Sequence, residues 1–483
     1  MYLGLDLGTS GLRAILTDAD GTVVASSDQA YPVSHPHSGW SEQDPADWVA
    51  ATERALDALK ASHPGEVAAL KAIGFSGQMH GATLLDKADK VLRPCILWND
   101  TRSAREAAAM DADPAFRKIS GNIVFPGFTA PKLAWVKAHE PELFDRVAMV
   151  LLPKDYLRLW LSGDHVSDMS DSAGTSWMDV GARAWSDELL AKAGMRADQM
   201  PRLVEGSEVS GTLRPELASR WGMTGTVKLV GGGGDNSASA CGVGCFDEGD
   251  GFVSLGTSGV LLSAKSGFAP SPETAVHTFC HSVPDTWYQM GVILSATDSL
   301  NWLAAQTGSK PAELSALLGD HIDGPGAIRF LPYLSGERTP HNDAEIRGAF
   351  AGIGIGDGHR ELTQAVIEGV AFALKDNHEA LKATGTELKS LLGIGGGSRS
   401  DYWVELIATL LGVPIDLPEA GDFGAALGAA RLAIVGDTGA NPAEVMTRPA
   451  VARTIDPRAD LTQAYDDAYG QFRALYPAIK DIL

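Results

Sequence analysis

Two copies of one short segment carry the groups that suit phosphate binding. Residues 7–11 and residues 255–259 both read Leu-Gly-Thr-Ser-Gly, and each copy lies between two β-type runs. A hairpin tip of this composition offers backbone amides and hydroxyl groups to phosphate oxygens, and its glycines let a ligand approach the backbone. A lone tip could also be a simple tight turn. The residues predicted to bind phosphate groups are Thr9, Ser10, Gly256 and Thr257.

Two charged residues flank the first tip. Asp6 ends the first β-type run, where its carboxylate could hold a hydrated Mg²⁺ ion against phosphate groups. The alternative is that Asp6 stabilises the turn by accepting backbone amide hydrogen bonds. Arg13 follows the tip and is predicted to neutralise phosphate charge, the alternative being an ordinary surface arginine.

A run of four glycines, residues 231–234, precedes Asp235 at a predicted helix start. The glycines are expected to leave one wall without side chains, so that a ligand can lie against the backbone. Asp235 is predicted to accept the proton of an attacking hydroxyl group, as aspartates do in phosphoryl-transfer enzymes, with Asn236 beside it as a binding residue. A helix N-cap is the alternative role for Asp235, but capping does not require four preceding glycines. Asp6 and Asp235 are the two predicted metal ligands.

A second glycine run, residues 395–397, follows an apolar strand-like run. It is predicted to receive the adenine and ribose of a nucleotide through Gly396, Gly397 and Ser398, with a packing turn as the alternative. The P-loop pattern and the dinucleotide-binding fingerprint are both absent from the sequence.

Met79 and His80 lie within Ser-Gly-Gln-Met-His-Gly, directly after a predicted strand. Ligands of open α/β sheets bind beyond the carboxyl ends of strands, so these side chains are predicted to contact a substrate. His80 could bond a hydroxyl or carbonyl group and Met79 could pack on a carbon face. A histidine satisfied within the core is the alternative.

The elements that position these residues form two similar halves. The chain has 483 residues, more than one compact core normally holds. The repeated tips indicate a duplication, with domains at residues 1–247 and 248–483. Strand-like runs alternate with predicted helices at residues 47–61 and 361–383, which indicates α/β layers. Residues 267–345 are rich in Pro, Gly and aromatic residues and are predicted to form irregular excursions beside the site.

Composition excludes several classes of protein. The formal net charge of -22, with no basic cluster, argues against nucleic-acid binding. No apolar stretch is long enough to cross a membrane, and no signal peptide is recognisable. The four cysteines fit neither a disulfide framework nor a zinc site and suit a reducing compartment. We therefore predict a cytoplasmic protein.

Over nearly its whole length the sequence resembles the FGGY carbohydrate kinases. Residues 127–140 resemble the first signature of the family, and residues 348–368 resemble the second. Within the family, residues 77–81, 97–100, 152–156 and 167–171 resemble the members that phosphorylate D-xylulose. Glycerol kinases carry an Arg-Glu pair where Met79 and His80 stand, so glycerol is a poor fit. Residues 420–425, beside the expected nucleotide site, depart from the pattern of many such members.

The resemblance implies a duplicated, actin-like (ribonuclease-H-like) α/β fold with a central cleft between two domains. It implies ATP and Mg²⁺ as cofactors and a sugar substrate, and it is compatible with a homodimer. It assigns sugar contacts to Met79 and His80, the catalytic base to Asp235 and a role in activity to Asp6. Three alternatives stay open: a family member acting on another ketose, polyol or sugar acid, a non-kinase actin-like ATPase, and an inactive sugar sensor.

Overall fold

In the computed structural model, which describes residues 1–419, 421 and 424–482, two seven-stranded sheets dominate. The strands of the first sheet are β1 (Tyr2–Leu7), β2 (Gly11–Thr17), β3 (Val23–Ala30), β4 (Ala72–Gly77), β5 (Val209–Thr212), β6 (Lys228–Val230) and β7 (Gly233–Gly234). The strands of the second are β8 (Asp250–Leu255), β9 (Gly259–Lys265), β10 (His277–Cys280), β11 (Trp287–Ile293), β12 (Ser390–Ile394), β13 (Ile415–Pro418) and β14 (Val451–Ile455). Short paired strands occupy Glu42–Gln43 with Cys95–Ile96, Thr83–Leu85 with Met149–Leu151, Val166–Asp168 with Arg202–Val204, Met178–Asp179 with Ala184–Trp185, and Arg329–Leu331 with Ala349–Ala351.

Helices cover the sheets and connect their strands. The main helices are α1 (Pro45–Ser62), α2 (Thr129–His139), α3 (Pro153–Ser162), α4 (Asp235–Gly242), α5 (Thr297–Thr307), α6 (His359–Lys382), α7 (Asp401–Leu411), α8 (Ala425–Thr438) and α9 (Thr462–Lys480). Shorter ones span Pro64–Ala68, Ala104–Asp111, Pro114–Ser120, Pro141–Phe144, Met169–Ser172, Asp187–Lys192, Pro215–Trp221, Pro311–Ala316 and Pro442–Val445. None of the helices described is both long and apolar enough to cross a membrane.

The two sheets repeat one topology. The first runs in the order β3-β2-β1-β4-β6-β5, and the second contains the matching order β11-β9-β8-β12-β13-β14. In both, the first three strands are antiparallel, the fourth and fifth add in parallel, and the last is antiparallel again. β10 extends the second sheet, and β7 pairs with β4 beyond the end of β6. The predicted duplicated α/β architecture is therefore present.

Local sequence explains why the helices form where they do. Asp44 caps α1 by accepting a hydrogen bond from the Ala46 amide at 2.9 Å, and Pro45 starts the helix at a position where its missing N–H is not needed. The apolar residues of α1, including Trp48 and Leu56, recur on one face and pack into the core of the first half. α6 is buried along most of its length within the core of the second half.

Helices α4 and α8 cross at backbone distance and join the two halves. A methyl group added to Gly428 of α8 would overlap the carbonyl oxygen of Ala238 in α4. On the other side of α8, methyl groups added to Gly4 in β1 and Gly74 in β4 would overlap its carbonyl oxygens. A helix of the second half therefore packs directly on the first sheet and on the helix that begins with Asp235.

The prediction that residues 267–345 form irregular excursions was wrong. Residues 267–345 hold strands β10 and β11 of the second sheet and helix α5, in addition to loops. The aromatic residues that suggested irregular excursions are largely buried, as with Phe279 and Tyr288, because both strands pack against the core. Aromatic residues are common in strands, and that preference outweighs the nearby Pro and Gly.

The close crossing of α4 and α8 makes Gly428 sensitive to substitution, in contrast to the exposed Gly470. Gly428→Ala should lower the free energy of unfolding by about 1–3 kcal/mol, because the added methyl group meets backbone that cannot move away without shifting the helices. Gly470→Ala, inside the exposed face of α9 with open space around it, should raise that free energy by about 0.5–1 kcal/mol. Urea denaturation of both variants tests this, and a neutral Gly428→Ala would contradict the close crossing.

Candidate active site

Asp6 and Asp235 lie near each other at the ends of strands in the first sheet. The hydroxyl of Ser76 in β4 donates a 2.9 Å hydrogen bond to Asp6 Oδ1, and Asp6 pairs across the hairpin with Arg13. Burial is the main cause that raises the pKa of Asp6, opposed by the Ser76 bond and the charge of Arg13. Arg13 itself forms a 3.3 Å ion pair with the exposed Asp28.

Asp235 is the first residue of α4, and Gly234 occupies the cap position before it. Both the backbone amide of Asn236 (2.7 Å) and its side-chain amide (2.9 Å) donate to Asp235 Oδ1. Among the described residues, nothing donates a hydrogen bond to Oδ2. Burial and then the charge of Asp6 raise the pKa of Asp235 to about 6, against the opposing effect of the Asn236 bonds.

The four glycines before Asp235 are needed for a different reason from the one predicted. Added methyl groups at Gly231 and Gly232 would overlap backbone oxygens of Glu205 and Phe75, and one at Gly234 would lie 2.8 Å from Met79 Cγ. Gly232 also has a φ of 80°, which favours glycine. The space freed by the missing side chains is therefore filled by protein, and the glycines let the segment pack tightly against its neighbours.

His80 is held as a neutral acceptor. Its Nδ1 lies 2.8 Å from the Gly174 carbonyl oxygen, which fixes the proton on Nδ1 and leaves Nε2 with a lone pair. Burial lowers the pKa of His80 to about 3, so the ring is uncharged at neutral pH. The ring stacks on Phe128 at 4.5 Å, and Lys132 Nζ donates to the His80 carbonyl oxygen at 2.7 Å. The backbone of His80 has a φ of 69°, an uncommon conformation held by these contacts.

A cavity of about 310 Å³ between the two halves collects these groups. Met79, His80, Asp235 and Asn236 line it from the first half, and Gly256 at the second hairpin tip lines it from the second half. Sequence reasoning did not single out several large or charged side chains that also line it, namely Trp98, Phe125, Phe128, His277, Met290 and Arg338. Trp98 and Phe128 fall within segments that carried the family resemblance, but the others had no recognisable signal.

A larger cavity of about 740 Å³ lies in the second half, and predicted residues Gly396 and Gly397 line it. Ser398 does not line it, and its hydroxyl donates to the Gly395 carbonyl oxygen at 2.8 Å. The remaining walls come from α5, residues 311–320, the start of α7, and Arg453, which is paired with Asp401 of α7. Of the divergent segment 420–425, residues 420, 422 and 423 lie outside the described residues.

The hairpin tips differ in how they are held. The Thr9 hydroxyl bonds Gln78 at 3.1 Å and accepts from the Trp98 indole at 3.0 Å, while Ser10 is exposed. In the second tip, the carbonyl oxygens of Gly256 and Thr257 accept from backbone amides at the start of α5, at 3.0 and 2.8 Å. Each tip is therefore fixed to the rest of its own half.

A fully buried group of charges lies next to the glycine run. Lys154 Nζ contacts carboxylate oxygens of Asp168 at 2.6 Å, Asp155 at 2.7 Å and Asp171 at 2.9 Å. Arg158 adds a second cation, 2.9 Å from Asp155. Burial raises the pKa of Asp171 well above its ordinary value, against the opposing effect of the Lys154 charge.

This buried group connects to the backbone that precedes Asp235. The Ser170 hydroxyl donates to Asp168 Oδ2 at 2.7 Å and accepts from the Gly234 amide at 3.0 Å. It also lies 3.1 Å from the hydroxyl of Ser282, which is 2.8 Å from that of Ser237 in α4. The network therefore fixes both the approach to Asp235 and the first turn of its helix.

Two family models match most of the chain. The family model described as "FGGY family of carbohydrate kinases, N-terminal domain" matches residues 1–242, and the corresponding C-terminal model matches residues 251–436. The chain belongs to the FGGY family of carbohydrate kinases. Membership in this family confirms the predicted resemblance and the duplicated actin-like fold, and it implies that the protein uses ATP.

Two xylulose kinases and a gluconate kinase are similar to this chain. Xylulose kinase of Escherichia coli K12 is 48% identical over the full length of both chains. The crystal structure of a "xyloylose kinase" from Brucella ovis is 60% identical, with a TM-score of 0.98 over all of both chains. That of a gluconate kinase from Lactobacillus acidophilus is 25% identical, with a TM-score of 0.92 over 99% of this chain and 97% of that one.

The buried network predicts a large difference between two lysine substitutions. Lys154→Met should destabilise the fold by about 3–5 kcal/mol, because it leaves three buried carboxyl groups with Arg158 as the one remaining cation of the group. Lys192→Met is the matched control: it removes a 2.7 Å ion pair of similar length with Asp113, but on the surface, and should change stability little. Equal stabilities of the two variants in urea denaturation would contradict the proposed role of the network.

Proposed function

We propose that this protein transfers the γ-phosphoryl group of ATP to the 5-hydroxyl of D-xylulose, giving D-xylulose 5-phosphate and ADP. The observation that carries the proposal is the shared cavity, in which Asp235 lies beside Met79 and His80 and faces the hairpin tip that contains Gly256. Relatives named for xylulose at 48% and 60% identity support this choice of sugar.

The sugar-facing side chains suit a small ketose. Nε2 of His80 accepts a hydrogen bond, so it suits a sugar hydroxyl, while Met79 and Phe128 offer apolar surface to the carbon chain. Asn236 orients Asp235 through two hydrogen bonds to Oδ1. Oδ2 of Asp235 is then available for the hydroxyl that attacks phosphorus.

Asp235 acts as the base late in the reaction. A carboxylate is too weak a base to ionise an alcohol beforehand, and the loose transition state of phosphoryl transfer demands little nucleophile activation. Asp235 therefore orients the 5-hydroxyl and accepts its proton as the bond to phosphorus forms. The raised pKa makes the carboxylate a better acceptor, while leaving it mostly ionised at neutral pH.

The nucleotide is assigned to the second half and the tips. We assign adenine and ribose to the cavity at Gly396 and Gly397, with Ser398 at its edge, and the phosphates to Thr9, Ser10, Arg13, Gly256 and Thr257. Two neighbouring carboxylates, Asp6 and Asp235, fit Mg²⁺, which takes one or two carboxylates together with phosphate oxygens and water. The described residues contain no group of three or more His, Cys, Asp or Glu side chains suited to an all-protein site. Mg²⁺ would neutralise charge on the phosphates.

Another substrate within the family is the principal alternative. A ketose, polyol or sugar acid could occupy the same cavity, and the similar gluconate kinase structure favours a sugar acid among these. The cytoplasmic location, the homodimer and the domain boundary near residue 248 stay predictions.

A coupled assay of ADP release tests the proposal with D-xylulose, L-ribulose, D-ribulose, glycerol and gluconate. The wild type should prefer D-xylulose, and Asp235→Asn should lower kcat by about 10²–10⁴-fold because the proton acceptor is lost. Asp89→Asn, at an exposed aspartate paired only with His165 among the described residues, is the matched control and should keep full activity. Preference for another sugar would replace the substrate, whereas full activity of Asp235→Asn would overturn the mechanism.

A further inference from the structure

Arg338 places a positive charge in the cleft, and the mechanism proposed above assigns this residue no role. It lines the same 310 Å³ cavity as Met79, His80 and Asp235, and its guanidinium lies 5.0 Å from the centre of the Phe125 ring. Across the described part of the chain, no carboxylate lies within 4 Å of this guanidinium. A partly buried cation without a counter-charge is unfavourable unless a ligand supplies acceptors.

The backbone around Arg338 is fixed on both sides. Glu337 Oε1 accepts from the amides of Arg338 at 2.7 Å and Leu294 at 3.2 Å. The Thr339 hydroxyl accepts from the Val292 amide at 3.2 Å and donates to the Ala275 carbonyl oxygen at 3.0 Å. Both flanking residues are buried, so the arginine is presented to the cavity from a rigid segment beside the end of β11.

The carboxyl group of the adjacent Glu337 compensates the charge of Arg338 only in part. Burial raises the pKa of Glu337 to about 8, so this neighbour is mainly protonated at neutral pH. Burial also lowers the pKa of His80 to about 3 and that of His277 well below its ordinary value, and the charge of Arg338 contributes to both shifts. Arg338 therefore acts on the end of the cavity that contains the two histidines.

The hydrogen-bonding capacities at this end are complementary. Arginine can only donate hydrogen bonds, whereas Nε2 of His80 can only accept in the tautomer that the Gly174 bond fixes. A carbonyl oxygen can only accept, and a hydroxyl can donate. A carbonyl next to a hydroxyl-bearing carbon, as in an open-chain ketose, satisfies both side chains, whereas a polyol offers Arg338 a hydroxyl whose proton needs an acceptor elsewhere.

We propose that Arg338 determines specificity by donating hydrogen bonds from its guanidinium to the keto oxygen of the sugar. This inference rests on the proposed function, since it assigns the recognition of the ketose to one residue of the same site. It places the carbonyl end of the substrate near His80 and Arg338, and the hydroxyl that is phosphorylated near Asp235.

The test compares D-xylulose with xylitol and D-arabinitol, the two pentitols formed by reducing its carbonyl group. Arg338→Met should lower kcat/KM for D-xylulose by about 10- to 100-fold, the loss expected for a hydrogen bond from a charged donor. The inhibition constants of both pentitols should change by less than about threefold, since they lack the carbonyl. The KM for ATP should stay the same.

Two further variants separate recognition from folding. Arg338→Lys keeps the charge without the planar fork, so it should show a partial loss on D-xylulose alone, and it supplies the readout if Arg338→Met does not fold. Arg347→Met removes an exposed arginine outside the cavity and should behave as the wild type. Thermal unfolding of each variant checks the fold.

The outcomes distinguish a failure of the specificity role of Arg338 from a failure of the proposed phosphorylation of D-xylulose. Equal losses for D-xylulose and the pentitols, or a raised KM for ATP, would overturn the specificity role and indicate contact with the phosphoryl group. Unchanged kinetics in Arg338→Met would overturn it as well. If the wild type does not phosphorylate D-xylulose, the proposed function fails first, and the assignment of a keto oxygen to Arg338 fails with it.

Discussion

The close crossing of α4 and α8 is the constraint on which the arrangement of the cleft depends. Gly428 allows the two helices to approach at backbone distance, and Gly4 and Gly74 allow α8 to lie directly on the first sheet. Because α4 begins with Asp235, this crossing fixes the helix that carries Asp235 relative to the first sheet. The second hairpin tip then faces Asp235 across a cavity only about 310 Å³ in volume.

Burial in this cleft raises the pKa values of Asp6 and Asp235. Burial, and then the charge of Asp6, raises the pKa of Asp235 to about 6. The Asn236 bonds limit this rise and keep the carboxylate ionised near neutral pH. The buried Lys154 network holds the backbone before Asp235 without lining the cavity. It therefore acts by positioning Asp235 and takes no direct part in the reaction.

Much of the fold could be predicted from the sequence because its signals are local or repeated. The duplicated Leu-Gly-Thr-Ser-Gly segments correctly indicated two matching sheets, and the spacing of apolar residues predicted α1 and α6 to within two residues at each end. The role of the glycine run was misread, because only the structure shows that Phe75, Glu205 and Met79 fill the space beside it. Arg338 and His277 carry no local motif and reach the cavity only through tertiary packing, so sequence spacing could not find them.

The pH dependence of kcat/KM for D-xylulose tests the central claim, that Asp235 is a buried base with a raised pKa. Because the ionised carboxylate accepts the proton, activity should rise with pH through about 6 and then level off. Asn236→Ala removes a hydrogen bond that stabilises the carboxylate, so it should move this rise to higher pH. A rise centred near 3.8, the ordinary value for aspartate, or an unmoved profile in Asn236→Ala, would contradict the account.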